Sequence, residues 1–234
     1  NIAGSRFSDT LVGSSAANTL VGEGGDDAID GGAGNDWING GAGNDTILGS
    51  AGSDFMQGGQ GNDSINGGAV TDRASYTDGN TLSYEDNTNG IVMDLSGITG
   101  DGSGGVGTVT DGWGGTDTVV NVPFIRGSAY ADSILGSSAE IFEMFEGGAG
   151  NDTINGGGGN DTIWSDAGDD LFMGGAGNDL IDGGEGNDIL HSGVGIDKLS
   201  GGGGNLAALS GLLGQSGKSA GLENALGNVK DTND

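Results

Sequence analysis

A nine-residue repeat is the feature of this sequence that most constrains its fold. The chain from Gly31 to Leu48 reads Gly-Gly-Ala-Gly-Asn-Asp-Trp-Ile-Asn and then Gly-Gly-Ala-Gly-Asn-Asp-Thr-Ile-Leu. Each unit has a glycine-rich half, aspartate at its sixth place and isoleucine at its eighth. Glycine tolerates positive φ, so the first six residues can form a tight turn. The last three residues are too few for a helix and predict a short strand with one inward side chain.

The repeat keeps its register over two long parts of the chain. Units begin every nine residues from Gly4 to Gly67 and resume at Gly127, with an interruption between Gly136 and Glu146. A self-similar period of this kind predicts a stacked repeat architecture. Residues 76–126 lack the repeat but keep β-branched segments separated by Gly, Asp and Asn turns, which are typical of strands. They could form a second small domain or continue the same solenoid with longer coils.

These interruptions divide the chain into four predicted parts. They are a first repeat block at 1–75, an irregular β-solenoid insert at 76–126, a second repeat block at 127–200, and a C-terminal cap or flexible tail at 201–234. In the last part, leucines at spacings of three and four favour short helices, but intervening glycines oppose any long helix.

The charge of the chain excludes several classes of function. There are 34 acidic residues against six basic ones, which gives a formal net charge of −28. Nucleic-acid binding requires a basic surface and is excluded. No apolar run approaches the roughly 20 residues of a membrane span. The chain has no cysteine, so neither a disulfide nor a thiolate metal site can form.

The same charge predicts bound divalent cations. Carboxylates stacked about 4.8 Å apart on neighbouring strands repel each other by about 3 to 4 kcal/mol at an effective dielectric near 20. A marginally stable fold cannot carry many such pairs without counter-ions. We therefore expect the chain to bind cations and to be largely disordered without them.

Aspartate at the sixth place indicates which cation. A turn without a metal would accept asparagine or serine there as readily as aspartate. Ligands that are all oxygen favour Ca²⁺ over zinc, and a flexible cage rich in carbonyl groups favours it over the stricter octahedron of Mg²⁺. Extracellular modules of this chemistry bind at about 10⁻⁴ to 10⁻³ M, so such sites fill outside a cell and stay empty in the cytosol.

The pattern Gly-Gly-x-Gly-x-Asp-x-(large apolar)-x resembles the RTX calcium-binding nonapeptide of the hemolysin-type repeat family, over residues 4–75 and 127–200. The resemblance implies an all-β fold, a right-handed parallel β-roll or β-helix. Two units would form one coil, and multiple Ca²⁺ ions would lie in the glycine-rich turns. The resemblance implies metal ligation by the carboxylates of Asp27, Asp36, Asp45, Asp54, Asp63, Asp152, Asp161, Asp170, Asp179 and Asp188, and by carbonyl groups such as those of Gly32, Gly34, Gly41 and Gly43.

The resemblance also implies a biological setting. RTX proteins are exported unfolded by type I secretion and fold in external calcium, so we expect a secreted, extracellular or cell-surface protein rather than a periplasmic one. The folded rod would be a structural or interaction component of the cell surface or of a larger extracellular assembly. Alternatively, it would be a non-catalytic calcium-binding module of a secreted protease, lipase or polysaccharide-modifying enzyme. A third possibility makes the insert a carbohydrate-active groove with Tyr76, Tyr84 and Trp113 as sugar platforms.

No catalytic motif stands out in the sequence, and we predict that the chain is not an enzyme. Matches to G-x-G-x-x-G arise throughout a glycine repeat and lack a strand-to-helix context. The single histidine, His191, occupies an outward ninth place, where a surface side chain is the simpler interpretation. No nucleophile elbow or metalloprotease helix is present.

Several outward places carry large apolar side chains. If units eighteen residues apart stack, Trp37 lies beside Phe55, Leu171 beside Ile189, and Trp164 near Leu180. Scattered apolar residues on a surface are normal. The alternative is an outward apolar strip that docks a partner protein or polysaccharide.

Overall fold

The computed structural model describes residues 1–68, 79–99, 105–203 and 207–209. These residues contain strands, turns and bends, and no helix. In chain order the strands are β1 (Ile2–Ala3), β2 (Thr10–Val12), β3 (Thr19–Val21), β4 (Ala28–Asp30), β5 (Trp37–Ala42), β6 (Thr46–Leu48), β7 (Phe55–Gln60), β8 (Ser64–Asn66), β9 (Thr81–Ser83), β10 (Val92–Asp94), β11 (Gly107–Thr110), β12 (Thr116–Val120), β13 (Phe124–Arg126), β14 (Ser133–Leu135), β15 (Met144–Glu146), β16 (Thr153–Asn155), β17 (Thr162–Trp164), β18 (Leu171–Ala176), β19 (Leu180–Asp182), β20 (Ile189–Val194), β21 (Lys198–Ser200) and β22 (Ala207–Leu209).

The strands form two sheets, and along most of the chain successive strands belong alternately to one sheet and the other. The order in the ten-stranded sheet is β1-β3-β5-β7-β9-β13-β15-β17-β19-β21, and in the twelve-stranded sheet it is β2-β4-β6-β8-β12-β11-β10-β14-β16-β18-β20-β22. In the repeat blocks, consecutive strands lie in opposite sheets, so two nine-residue units make one coil. Strands eighteen residues apart pair in parallel, for example Ile38 with Met56 and Ile29 with Ile47. This confirms the predicted parallel β-roll.

The eighth place of each unit forms the core. The eighth residue is the middle residue of a three-residue strand or the second residue of a longer one. Its side chain faces the opposite sheet. In the first block these side chains are at most 7% exposed: Leu11, Leu20, Ile29, Ile38, Ile47, Met56 and Ile65. In the second block the core continues through Ile134, Phe145, Ile154, Ile163, Phe172, Ile181 and Leu190. Burial of each such side chain stabilises the fold by about 1.5 to 3 kcal/mol.

Glycine is required in a turn for two different physical reasons. In the unit that starts at Gly40, the second and fourth residues, Gly41 and Gly43, have φ of 106° and 142°. A side chain at these angles would be strained. Gly40 itself is in the ordinary region, but a Cβ atom there would meet the Asp45 carboxylate and the carbonyl oxygen of Gly58. The pattern Gly-Gly-x-Gly therefore combines one steric requirement with two conformational ones.

Both sheets run through the predicted insert. In the ten-stranded sheet, β9 and β13 lie between β7 and β15. In the twelve-stranded sheet, β10, β11 and β12 form two antiparallel pairs. This meander is joined to the repeat blocks in parallel, Val119 pairing with Ile65 and Met93 with Ile134. The boundaries of the four parts stay a prediction, and most of 201–234 lies outside the described residues.

Candidate metal centre

The sixth-place carboxylates form ladders along the two edges of the roll, just before the strands. One oxygen of each accepts the backbone N–H of the sixth-place residue one coil earlier. Oδ1 of Asp45 accepts from Asp27 at 2.8 Å, and Oδ1 of Asp63 accepts from Asp45 at 2.8 Å. In the second block, Oδ1 of Asp179 accepts from Asp161 at 2.9 Å. These bonds fix each carboxylate in one orientation at the inner side of its turn.

The second oxygen of many of these carboxylates has no hydrogen-bond donor. The residues concerned are between 1% and 3% exposed, and their Oδ2 atoms are buried. They are Asp27, Asp36, Asp45, Asp63, Asp161, Asp170, Asp179 and Asp188. A buried acceptor without a partner costs about 1 to 3 kcal/mol, and more when it is charged. Eight of the ten predicted carboxylate ligands thus have an oxygen for which the described chain provides no partner.

Seven of these oxygens point toward the first glycine of their own turn, and in five of these turns a carbonyl oxygen of the next coil also arrives there. The exception is Asp170, whose turn begins with Ser165. A Cβ atom at Gly156 would lie 2.6 Å from Oδ2 of Asp161 and 2.6 Å from the carbonyl oxygen of Gly174. At Gly31 the corresponding distances are 2.6 Å to Oδ2 of Asp36 and 2.8 Å to the carbonyl oxygen of Gly49. Only glycine leaves this space open, and the converging atoms are all oxygen.

The donor set fits Ca²⁺ if backbone oxygens supply most of the ligands. Within the described part of the chain, no three acidic, histidine or cysteine side chains converge in a way that could hold a metal. Ca²⁺ takes six to eight oxygen ligands and accepts carbonyl oxygens and water among them. A carboxylate oxygen, carbonyl oxygens from two successive turns and water therefore make a chemically suitable site.

The carbonyl groups named from the sequence lie at this interface between coils. The Gly32 oxygen accepts the N–H of Ala51 at 2.9 Å. The Gly41 and Gly43 oxygens abut Gly59 and Gly61 one coil later. Gly34 abuts Gly52 in the same way. Their role as ligands stays a prediction, and the structure adds first-place carbonyl groups, such as that of Gly174, which the sequence reasoning did not name.

Burial and mutual repulsion raise the pKa of these carboxyl groups. Desolvation raises the pKa of Asp161 to about 8, and the charges of Glu143 and Asp179 add to it, against a backbone hydrogen bond that lowers it. Desolvation likewise raises the pKa of Asp63 to about 7 and that of Asp45 to about 6. The ladder therefore resists ionisation until positive charge enters it.

In two turns, serine at the second place satisfies the carboxylate of its own turn, whereas Ser50 donates its hydroxyl to Asp30 instead. Asp9 accepts the N–H and Oγ–H of Ser5 at 2.6 and 2.9 Å. Asp132 accepts the corresponding groups of Ser128 at 2.7 and 2.8 Å.

The other two predicted carboxylate ligands are Asp152 and Asp54. Oδ2 of Asp152 accepts a hydrogen bond from Ser165 Oγ at 3.2 Å. Asp54 is buried and Oδ1 accepts the Asp36 N–H at 2.9 Å. The demand for a cation therefore varies from turn to turn.

Sequence reasoning missed three residues of the sixth-place ladders, two in the insert and one in the interruption of the second block. Asp117 accepts the Asp63 N–H at 2.9 Å, and Glu143 donates its own N–H to Asp161 at 2.9 Å. Asn80 accepts the Asp54 N–H at 2.9 Å and donates its amide to the Gly67 carbonyl oxygen at 2.8 Å. Each stands two residues before a buried apolar side chain. This two-residue spacing between an acid or amide and an apolar residue was the signal in the sequence that could have identified them. The glycines of the repeat could not, because their pattern is incomplete in these turns.

The outward apolar side chains occupy three separate patches rather than one strip. Trp37 and Phe55 are register neighbours on the ten-stranded sheet. Trp164 and Leu180 lie on the same sheet, on β17 and β19. Leu171 and Ile189 are register neighbours on the twelve-stranded sheet. The strip is divided because alternate units belong to opposite sheets. The Trp37 patch opens on a groove that is also lined by Asn18, Asn35 and Thr81.

The proposed sugar platform at Tyr84 is wrong. Tyr84 is 3% exposed, and its hydroxyl donates to Oδ2 of Asp117 at 3.0 Å. Its ring is part of the core and cannot stack on a ligand. Trp113 is half-buried beside a shallow pocket, and Tyr76 lies outside the described residues.

Comparison with known proteins agrees with this geometry. A family model of the RTX calcium-binding nonapeptide repeat, four copies long, matches residues 3–38, 39–74, 143–172, 164–199 and 182–205. No curated protein matches the chain. The described residues contain no helix that could span a membrane. The family binds Ca²⁺ at multiple sites, is typical of secreted proteins and is typically non-catalytic. Since the matches cover more than half of the chain, it belongs to the RTX calcium-binding repeat family.

Proposed function

We propose that the chain is exported unfolded, folds when external calcium fills its turns, and then serves as a structural or interaction component of the cell surface or of a larger extracellular assembly. The observation that carries this proposal is the set of buried Oδ2 atoms that no donor satisfies. They make the folded state depend on an ion that the cytosol keeps scarce.

A comparison of two free energies, for burial of the core residue and for the buried carboxyl group, supports a calcium requirement. In the unit containing Asp161 and Ile163, burial of the isoleucine contributes about 1.5 to 3 kcal/mol. The Asp161 carboxyl group has its pKa raised from 3.8 to about 8. At pH 7 that difference costs the folded state up to about 4 kcal/mol. Without a cation, the carboxylate thus offsets the core residue of the same unit. With calcium bound, the binding free energy adds to folding.

The exposed aromatic patch supports an interaction role. Trp37 is 37% exposed beside Phe55, in a groove flanked by asparagine and threonine side chains. A surface with both aromatic rings and amide groups suits a partner protein or a polysaccharide. The chain itself contributes no catalysis in this proposal, because its buried carboxylates are engaged in the ladders. In the alternative, the same roll is the calcium-binding module of a secreted enzyme.

A sedimentation assay tests the interaction role. The calcium-folded chain is mixed with the outer surface material of its own source cells, and the bound fraction is measured for the wild type and for a Trp37→Ser/Trp164→Ser variant. We expect weaker association for the variant and unchanged calcium-induced folding. Val194→Ser is the matched control, because Val194 is 74% exposed on the other sheet. Equal association of all three proteins would contradict the role of the patch. A gene product that continues into a catalytic domain would favour the enzyme module.

A further inference from the structure

We propose that Asp111, a residue outside the nine-residue repeat, completes an additional divalent-cation site between the turn Gly58–Asp63 and the insert loop 111–116. The proposal deepens the calcium-dependent folding described above and rests on it. It adds a ligand that no nonapeptide position provides, at the point where the first repeat block meets the insert.

The Asp111 side chain is held with one oxygen satisfied and the other free. Oδ1 accepts the backbone N–H of Trp113 at 3.0 Å and of Gly115 at 2.6 Å. The residue is 4% exposed, and its buried Oδ2 has no hydrogen-bond donor. The loop thus fixes the carboxylate so that one oxygen remains available inside the protein.

The free oxygen lies near a backbone carbonyl oxygen of the preceding coil. A Cβ atom at Gly115 would lie 3.0 Å from Oδ2 of Asp111 and would also contact the Gly61 carbonyl oxygen. No donor to the Gly61 carbonyl oxygen occurs in the described part of the chain. The two oxygens therefore converge as the carboxylate and carbonyl oxygens do in the regular turns, and only glycine at position 115 leaves the space open.

The charges around this position favour a cation. The charge of Asp111 reaches both Asp63 and Asp117, which are also buried. The Tyr84 hydroxyl satisfies Oδ2 of Asp117. Oδ2 of Asp63 has no donor. Among the described residues, the ion pairs involve only Arg126, which pairs with Glu85 and Glu146, so no basic side chain neutralises this group.

A hard divalent ion suits these ligands. A carboxylate oxygen and a carbonyl oxygen beside a second buried carboxylate are ligands of the class that Ca²⁺ takes. The absence of nitrogen and sulfur atoms disfavours zinc and copper.

Terbium luminescence tests the site in the full-length chain. Tb³⁺ replaces Ca²⁺ at oxygen sites and emits when a nearby tryptophan is excited. In a Trp37→Phe/Trp164→Phe background, Trp113 is the sole tryptophan, two residues from Asp111. We expect sensitised emission that calcium competes away. Adding Asp111→Asn should weaken it, because the amide keeps the Oδ1 acceptor but loses the anionic oxygen, while ions in the neighbouring repeat turns still emit. Asp169→Asn, at an exposed position of the second block, should leave it unchanged.

Two measurements, terbium emission and the calcium content, could overturn the proposed site. Absence of Trp113-sensitised emission from the folded background protein would overturn it, as would emission that is equally strong with and without Asp111→Asn. Calcium analysis after dialysis should show a loss of one ion per chain for Asp111→Asn, and an unchanged count would also overturn it. Asp111→Ser, whose hydroxyl can still accept the turn N–H groups, provides a second variant. If the proposed function fails instead, the wild type will show no calcium-induced folding at all, which is a distinguishable outcome.

Discussion

Replacement of Asp161 by asparagine should stabilise the calcium-free protein and weaken the calcium-loaded one. Asparagine keeps the Oδ1 acceptor that receives the Glu143 N–H at 2.9 Å. Its amide would replace Oδ2 beside the Gly174 carbonyl oxygen. At another sixth place, the amide of Asn80 donates to the Gly67 carbonyl oxygen at 2.8 Å, which shows that an asparagine amide finds an acceptor at this position of the turn. The asparagine amide would thus provide, without uptake of a proton, the donor that the carboxyl group provides only when it is protonated.

The size of the effect follows from the pKa of Asp161. The value is about 8 in the folded protein against 3.8 for the free group. At pH 7 the unfolded chain has lost the proton and the folded chain retains it. This difference costs up to about 4 kcal/mol of stability, which the asparagine variant would recover. In calcium the variant loses a charged ligand and should bind one ion fewer.

Folding by an osmolyte in chelator measures the calcium-free stability. Far-ultraviolet circular dichroism would follow β-structure while trimethylamine oxide is added, and Asp161→Asn should fold at a lower concentration than the wild type. Asp132→Asn is the matched control and should gain less, because both Asp132 oxygens accept bonds from Ser128 and an amide would oppose a donor. A midpoint for Asp161→Asn that is no lower than that of the wild type would contradict the prediction.

Three further predictions follow from the same geometry. In chelator, stability should rise as pH falls from about 8 toward 4, because the folded pKa values of about 6 to 8 exceed the unfolded value of 3.8 and the folded state then binds more protons; a pH titration of circular dichroism that shows loss of structure over this range would contradict it. Gly31→Ala should remove one bound calcium ion, since its methyl group would lie 2.6 Å from Oδ2 of Asp36, whereas Gly203→Ala, with nothing within 4 Å, should change neither ion count nor melting temperature. Tyr84→Phe should destabilise the calcium-loaded protein by about 1 to 3 kcal/mol in urea unfolding, because Oδ2 of Asp117 loses its donor; an unchanged midpoint would show that this bond contributes nothing.

The regular turns could be predicted from the sequence because each position has one physical role. Ile38 is inside because it is the second residue of its strand and faces the opposite sheet, and the register with Met56 follows from an eighteen-residue coil. Glycine at the second and fourth places indicates left-handed φ, which Gly41 and Gly43 adopt. The local pattern together with its resemblance to the RTX repeat was therefore enough to predict the parallel roll.

The insert and the satisfaction of individual carboxylates could not be predicted in this way. Asp117 stacks on Asp63 across 54 positions of sequence, a separation that no local period encodes. Whether a carboxylate needs a cation depends on a single donor, as the contrast between Asp132 with Ser128 and Asp161 without such a serine shows. The buried position of the Tyr84 hydroxyl likewise depends on its hydrogen bond to Asp117, a residue of a strand that is distant in sequence. These features are set by tertiary contacts.

The most direct test of the central claim is the circular dichroism spectrum of one sample, first in chelator at neutral pH and then in millimolar calcium. The account predicts a coil spectrum that converts to β-structure when calcium is added and reverts when the ion is removed, because the buried Oδ2 atoms oppose folding until a cation neutralises them. A β-sheet spectrum that is the same in chelator and in calcium would contradict it.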